Sequence, residues 1–274
     1  MKQQCCQWDI PHGADEGEEG CHRAHQCMFQ YLDKGKIGLG AVACTNEERF
    51  KKRGINNVIL EASSHGLKQH RLDGIKFDLG IFTNFSRDHL DYHKSFKDYF
   101  NSKMILFKKL MKKKSAVIFD KDIAESKKIK KISNDVNSKS ITIGKTNADL
   151  ITTSHNYLGK YQFIKFKYNN IKYSFKTSLV GKIQIKNILM SILAANKIGL
   201  PMQKIIGSIN RLKPVTGRLQ EIGKLKNNAK VILDYAHTPD ALFNCITSVK
   251  DQFKLSKISI VFGCGGERDK SKRK

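Results

Sequence analysis

The chain has 274 residues, of which 50 are Lys or Arg and 25 are Asp or Glu, giving a formal net charge of +25 at pH 7; 40% of its residues are hydrophobic. That length and apolar content suffice for about two domains with a sizeable core and exclude a chain disordered throughout. No run reaches the ~18 consecutive apolar residues of a membrane span, the first residues lack the apolar centre of a secretion signal, and seven cysteines without regular spacing do not form a disulfide framework, so a cytoplasmic protein is expected.

In chain order, residues 1–44 stand apart. They carry Cys5, Cys6, Cys21, Cys27 and Cys44, the single Trp8, and more acidic than basic residues. His12, Cys21, His22, His25 and Cys27 are metal-ligand types, but two tight ligand pairs around a folded loop are missing. An atypical or disordered extension is the preferred reading. Lys51–Gly54 ends a helix. From there the pattern is α/β. Asn57–Ala62, Phe77–Thr83 and Ser115–Asp120 are short apolar runs of the buried-strand type, with a helix over Ser95–Lys112. Residues 121–140 are Lys-rich, a surface helix and loop. Residues 150–180 alternate apolar and polar, and Asn169-Asn170 between two such runs predicts a hairpin turn. Ile185–Ile198 is an apolar helix stopped by Gly199 and Pro201. A shorter helix ends before Pro214, Lys213–Gly217 is a linker, and Val231–Leu233 and Ile258–Phe262 are strands of a second α/β unit.

All the net positive charge lies beyond residue 44, and it is nearly all Lys, with nine Arg in the chain. A nucleic-acid-binding module is one reading. A general Lys bias on solvated faces is the other, and is favoured because Arg forks and interleaved aromatics are missing. No nucleic-acid partner is therefore expected. A positive field still attracts phosphorylated, acidic small molecules.

The chemistry gathers where strands end. Glu61 closes the first strand, followed by Ser63, Ser64 and His65; Thr83-Asn84 closes the second, followed by Asp88, His89, Asp91 and His93. Ligands of open α/β sheets bind at the carboxyl ends of strands. Glu61 and His89 facing one crevice suit a divalent cation carrying phosphates; a cluster of turn and cap residues is the alternative. On the 95–112 helix, Phe96, Tyr99, Phe100, Phe107 and Leu110 form one apolar arc with Lys103 in its middle. Lys103 has three possible fates: reaching out to water, pairing with a buried acid such as Glu61, or losing its proton through burial. A neutral lysine takes up carbon dioxide, and the carbamate is an anionic oxygen ligand for magnesium. Phe262–Lys270 holds a Gly cluster after a strand, either a plain loop or a cradle for phosphate or ribose. The chain contains no G-x-x-x-x-G-K-[ST] loop.

Glu61-Ala-Ser-Ser-His-Gly-Leu-Lys-Gln-His-Arg71, Thr83-Asn-Phe-Ser-Arg-Asp-His-Leu-Asp-Tyr-His93, Lys103, Thr216–Glu221, Asp234–Leu242 and Phe262–Lys270 occur in the order and spacing of the Mur ligases. The sequence resembles that family, and within it the UDP-N-acetylmuramoyl-tripeptide synthetase branch, from about residue 51 to the end. The resemblance implies a mostly parallel central α/β sheet with flanking helices and an antiparallel hairpin region, over residues 45–214. The start of a Rossmann-like C-terminal domain follows over 215–274. It implies an ATP-dependent amide ligase that adds a diamino acid to UDP-MurNAc-L-Ala-D-Glu through an acyl phosphate, acting as a monomer. By motif, Glu61 and His89 bind Mg2+ and Lys103 is the catalytic, carbamylated ligand. Ser63, Gln69 and Arg71 hold the UDP-MurNAc-dipeptide, and Asn187, Arg218, Asp234 and His237 contact ATP. The family's P-loop and uridine-binding domain have no counterpart here, and Gln184 replaces a customary Asn. The 274 residues alone are therefore expected to be inactive or nearly so. A non-catalytic remnant is the remaining alternative.

Overall fold

The computed structural model describes residues 29–33, 36–40 and 57–263. The chain divides into two units: residues 1–77 with 97–110, and residues 78–96 with 111–274.

In the first unit, strands β1 (Phe29–Asp33), β2 (Lys36–Gly40) and β3 (Val58–Leu60) form an antiparallel sheet in the order β2-β1-β3. These two N-terminal strands are the only described part of residues 1–44; the Cys and His residues there, and the helix expected to end at Gly54, lie outside the described residues. Helix α1 (Ser64–Lys68) follows β3 at once because Ser63, in extended geometry, accepts a hydrogen bond from the Gly66 N–H at 3.0 Å. Such a cap is worth about 1 kcal/mol. Helix α2 (Phe96–Lys109) has Asp98 in its first turn and Lys108 and Lys109 in its last, each matched to the helix dipole. Leu67, Leu72 and Leu110 are buried together, with Leu60, Ala62, Phe77 and Leu106 packed on them.

The second unit is built on a six-stranded sheet in the order β4-β5-β6-β7-β8-β9: β4 (Phe77–Phe82), β5 (Met111–Asp120), β6 (Lys139–Gly144), β7 (Leu150–Leu158), β8 (Tyr161–Tyr168) and β9 (Ile171–Thr177). The sheet is mixed. β5, β6 and β7 run parallel, while β7, β8 and β9 are antiparallel. The last six residues of β5 are all buried, the signature of a strand covered on both faces. Helix α3 (Ser126–Asp135) joins β5 to β6 and buries Ile129 and Ser133. Helices α4 (Lys182–Lys197) and α5 (Met202–Ile209) complete the core: Ile185, Leu189 and Leu193 of α4 and Ile205 of α5 join Ile118, Ile143, Ile164 and Phe166 of the sheet. Gly199, at φ +101°, ends α4, a left-handed position that suits glycine. The second family-like segment contributes an antiparallel pair, β10 (Gln220–Lys224) and β11 (Lys230–Leu233), and helix α6 (Pro239–Gln252).

The fold class is the α/β arrangement expected, including the hairpin at Asn169-Asn170, whose two residues have φ +48° and +63°, as a type I′ turn requires. Three expectations change. The 95–112 helix stops at Lys109 because Met111–Lys114 extend β5, where Lys112 pairs with Asp78 at 2.9 Å. Phe96 is 42% exposed; as the first residue of the helix it packs against Phe85 with the rings tilted, 4.2 Å between centroids, and leaves the apolar arc. Ile258–Phe262 is not a strand: among the described residues β10 and β11 pair only with each other, the run has no ladder neighbour there, and Val261 is fully exposed.

Candidate active site

Glu61, Ser63, Gln69, Arg71 and Lys103 belong to the first unit; His89, Asn187, Arg218, Asp234 and His237 belong to the second.

Glu61 is exposed just beyond β3, so it is not the buried acid that Lys103 could have paired with. Ser63 spends one lone pair on the α1 cap and keeps its O–H as a donor. Gln69 closes α1, its N–H donating to the His65 carbonyl at 2.8 Å, and the Arg71 N–H donates to Gly66 O at 2.9 Å. His70 between them has φ +58°. The S-S-H-G-L-K-Q-H-R stretch is thus one short capped helix that runs directly into a tight turn. Lys103 is half-buried, and its ammonium lies over the Tyr99 ring, 5.1 Å from the centroid. On the same helix Asp98 is taken by Lys68 at 2.6 Å.

In the second unit the loop after β4 and the loop after β11 come together. His89 has φ +56°, a strained position for a non-glycine residue. It is held there because its N–H donates to Asp88 Oδ1 at 2.8 Å and its carbonyl accepts from the His93 N–H at 2.9 Å. Asp88 Oδ2 lies 3.6 Å from His89 Nε2 and 3.8 Å from His237 Nε2, one carboxylate between two imidazoles. His237 Nδ1 donates to the Tyr235 carbonyl at 3.0 Å; a carbonyl only accepts, so Nδ1 carries the proton. Asp234 ties the two ends of the β10–β11 segment: Oδ2 accepts from Leu219 N–H and Oδ1 from Ala236 N–H, both at 2.8 Å. The Arg218 guanidinium covers the Tyr235 ring at 5.3 Å. Thr238 caps α6 through Ala241 N–H, with Pro239 at the first helical position. Near Asp234, burial pushes the Cys245 thiol up to about 11, and the Asp234 charge adds to the shift; at neutral pH it is an inert thiol, not a nucleophile.

Asn187 stands on the second turn of α4, half-buried, next to Lys186. Lys186 pairs with Asp120 at 2.5 Å, and Asp120, 1% exposed, also accepts from Asp122 N–H at 2.9 Å. The structure therefore groups Arg218, Asp234 and His237 with His89. Sequence reasoning named Asp88 beside His89 without giving it a role, and passed over Tyr235 and the Asp120–Lys186 pair. Each left a signal: Asp88 precedes His89 in the same turn, Tyr235 follows Asp234, and Asp120 ends the apolar run Ser115–Asp120. Among the described residues, no three His, Cys, Asp or Glu side chains gather as a metal-holding group; Cys264–Lys270, the Gly cluster, lies outside them.

Residues 45–195 match the Mur ligase middle domain, and residues 217–274 match the Mur ligase glutamate ligase domain. The chain belongs to the Mur ligase family. It is 41% identical over 223 residues to the UDP-N-acetylmuramoyl-L-alanyl-D-glutamate–2,6-diaminopimelate ligase of Rickettsia rickettsii, covering 81% of this chain and 46% of that protein. The ligase of the same name from Rickettsia bellii is 37% identical over 251 residues, covering 89% of this chain and 52% of that protein. A solved structure of a ligase with that name aligns with TM-score 0.60 at 30% identity, covering 78% of this chain and 43% of the other. The chain thus spans about half the length of the curated relatives it matches.

Proposed function

We infer that this chain carries part of an ATP-dependent ligase that joins 2,6-diaminopimelate to UDP-MurNAc-L-Ala-D-Glu in peptidoglycan synthesis. ATP transfers its γ-phosphoryl group to the D-glutamate carboxylate, giving an acyl phosphate and ADP. An amine of the diamino acid attacks the acyl carbon, phosphate leaves, the amine loses a proton and an amide forms. The observation that supports this most is the meeting of the Asp88–His89 turn with the Asp234–His237 loop. It puts residues of both family-matched segments in one place, as a reaction between a nucleotide and an acid needs.

Glu61 offers the carboxylate oxygen that a hard divalent cation takes, and His89 adds an imidazole nitrogen, a softer donor. Lys103 as an ammonium does not fit such a cation; it fits only as the carbamate formed from its neutral amine and carbon dioxide with release of a proton. Mg2+ bound by such donors would neutralise charge on phosphate oxygens. Ser63, through its spare O–H, with Gln69 and Arg71, holds the dipeptide substrate. Asn187, Arg218, Asp234 and His237 hold ATP; Asp234 has acceptor capacity beyond its two backbone bonds.

The test is a chimera in which residues 57–263 replace the matching segment of the Rickettsia rickettsii ligase. Amide formation with diaminopimelate, falling at least about 100-fold in Lys103→Ala and recovering with short-chain carboxylic acids, is expected. A folded chimera that forms no amide, or one that prefers lysine, overturns the assignment. The 274 residues alone, lacking a phosphate loop of the G-x-x-x-x-G-K-[ST] type, are expected to bind nucleotide weakly and turn over little.

A further inference from the structure

We propose that the outer face of β7, β8 and β9 is a binding surface for single-stranded nucleic acid. From Leu150 to Thr177 the chain has five lysines and no Asp or Glu. The alternation along the strands sorts them. Gln162, Ile164 and Phe166 of β8 and Phe175 and Thr177 of β9 face the core and are buried. Tyr161, Phe163, Lys165 and Lys167, with Lys172, Ser174 and Lys176, face the other way. Register puts Phe163 opposite Lys176, Lys165 opposite Ser174 and Lys167 opposite Lys172. Lys160, in the β7–β8 turn, adds a fifth cation.

Aromatic rings lie among these cations. Lys160 and Lys176 each place their ammonium 5.2 Å from the Tyr161 centroid, and Phe163 is 37% exposed. The sequence does interleave aromatics with lysines in this stretch, contrary to the expectation above; of the six rings from Tyr161 to Phe175, Tyr161 and Phe163 lie on the lysine face and the other four on the inward one. Three consecutive cross-strand pairs, from Phe163–Lys176 to Lys165–Ser174, line a shallow depression. Lysines about 5–7 Å apart on a pleated face suit a row of phosphates, and exposed rings on a sheet are stacking platforms for unpaired bases. A linear polymer can follow a depression along the strands; a flat bilayer cannot fill it. The surface is independent of the ligase chemistry proposed above.

The probe is a fluorescein-labelled oligothymidine of about 20 nucleotides, read by anisotropy. Four phosphate contacts predict that affinity falls about 50-fold between about 50 and 200 mM salt. Lys165→Gln with Lys176→Gln weakens binding at least about 10-fold, and Phe163→Ala at least about 5-fold, with melting temperatures unchanged for the lysine pair. Replacing Lys127, Lys128, Lys130 and Lys131 of α3 by Gln, exposed cations on another element, leaves binding within about 2-fold. Absence of binding at low salt overturns the proposal, and so does an equal loss from the α3 variant, which marks bulk charge. Binding to phosphatidylglycerol vesicles that needs Lys165 and Lys176, without oligothymidine binding, overturns it in favour of a lipid surface.

Discussion

Asp234→Ala separates a structural role from a ligand-binding one. The carboxylate accepts from Leu219 N–H and Ala236 N–H, both at 2.8 Å. Leu219 needs that bond: it is 3% exposed and has φ +46°, a left-handed conformation that costs a leucine about 1–2 kcal/mol. A net hydrogen bond to a charged partner is worth about 1.5–3 kcal/mol, and the half-buried setting favours the lower end. Losing both, with partial relaxation, predicts a loss of about 2–4 kcal/mol. Asp234→Asn keeps one acceptor oxygen and loses about 1–2 kcal/mol. Urea unfolding followed by circular dichroism gives the energies, and amide exchange at Leu219 and Ala236 locates them. A change under about 0.5 kcal/mol with unchanged exchange at Leu219 refutes the reasoning, because it would mean that the two bonds do not hold the turn.

Three further outcomes follow from packing and titration. Phe166→Ala, at a position fully buried between sheet and helices, lowers stability by about 3–5 kcal/mol in thermal or urea unfolding. Gly181→Ala costs about 1–3 kcal/mol by the same measurement, because φ is +94° and a Cβ would lie 2.7 Å from Leu219 Cδ1. Cys245 has its folded value raised from 9.0 to about 11, so the stability it lends is whole below pH 9 and is lost as pH rises towards 11. Melting curves of wild type and Cys245→Ala should therefore converge over that window in the wild type's disfavour; parallel curves from pH 8 to 11 contradict the burial of the thiol.

How much of this was legible in the sequence depended on what each residue answers to. Val117–Phe119 and Ile185–Leu193 answer to the hydrophobic effect, so their runs announced a buried strand and a buried helix. Asn169-Asn170 answers to backbone sterics and announced its turn. β6 and β10 did not show themselves: Lys139–Gly144 and Gln220–Lys224 are short, mixed in polarity, and become strands only because a partner is at hand. Ile258–Phe262 is the converse, a good strand sequence without a neighbour among the described residues. In the candidate site, the motif residues were legible by order and spacing, whereas the Asp88–His237 approach joins residues far apart in the chain and has no local pattern.

The Asp234-Tyr-Ala-His-Thr-Pro239 stretch shows why such motifs resist a simple reading. Asp234 holds two backbone N–H groups, Ala236 supplies one of them, and the Tyr235 N–H donates to Gly217 O at 2.8 Å. Thr238 caps α6 and Pro239 starts it. Five of the six residues thus have a folding task that nearby backbone geometry imposes. His237 is the exception: its ring is 44% exposed and turned towards Asp88, and its one close hydrogen bond, to Tyr235 O, fixes the tautomer more than the fold. Replacing His237 should therefore leave unfolding energies within about 0.5 kcal/mol, the range for an exposed side chain, while nucleotide binding in the chimera weakens. If His237→Ala instead destabilises the fold as much as Asp234→Ala, the imidazole is a strut, and its place among the nucleotide contacts has to be given up.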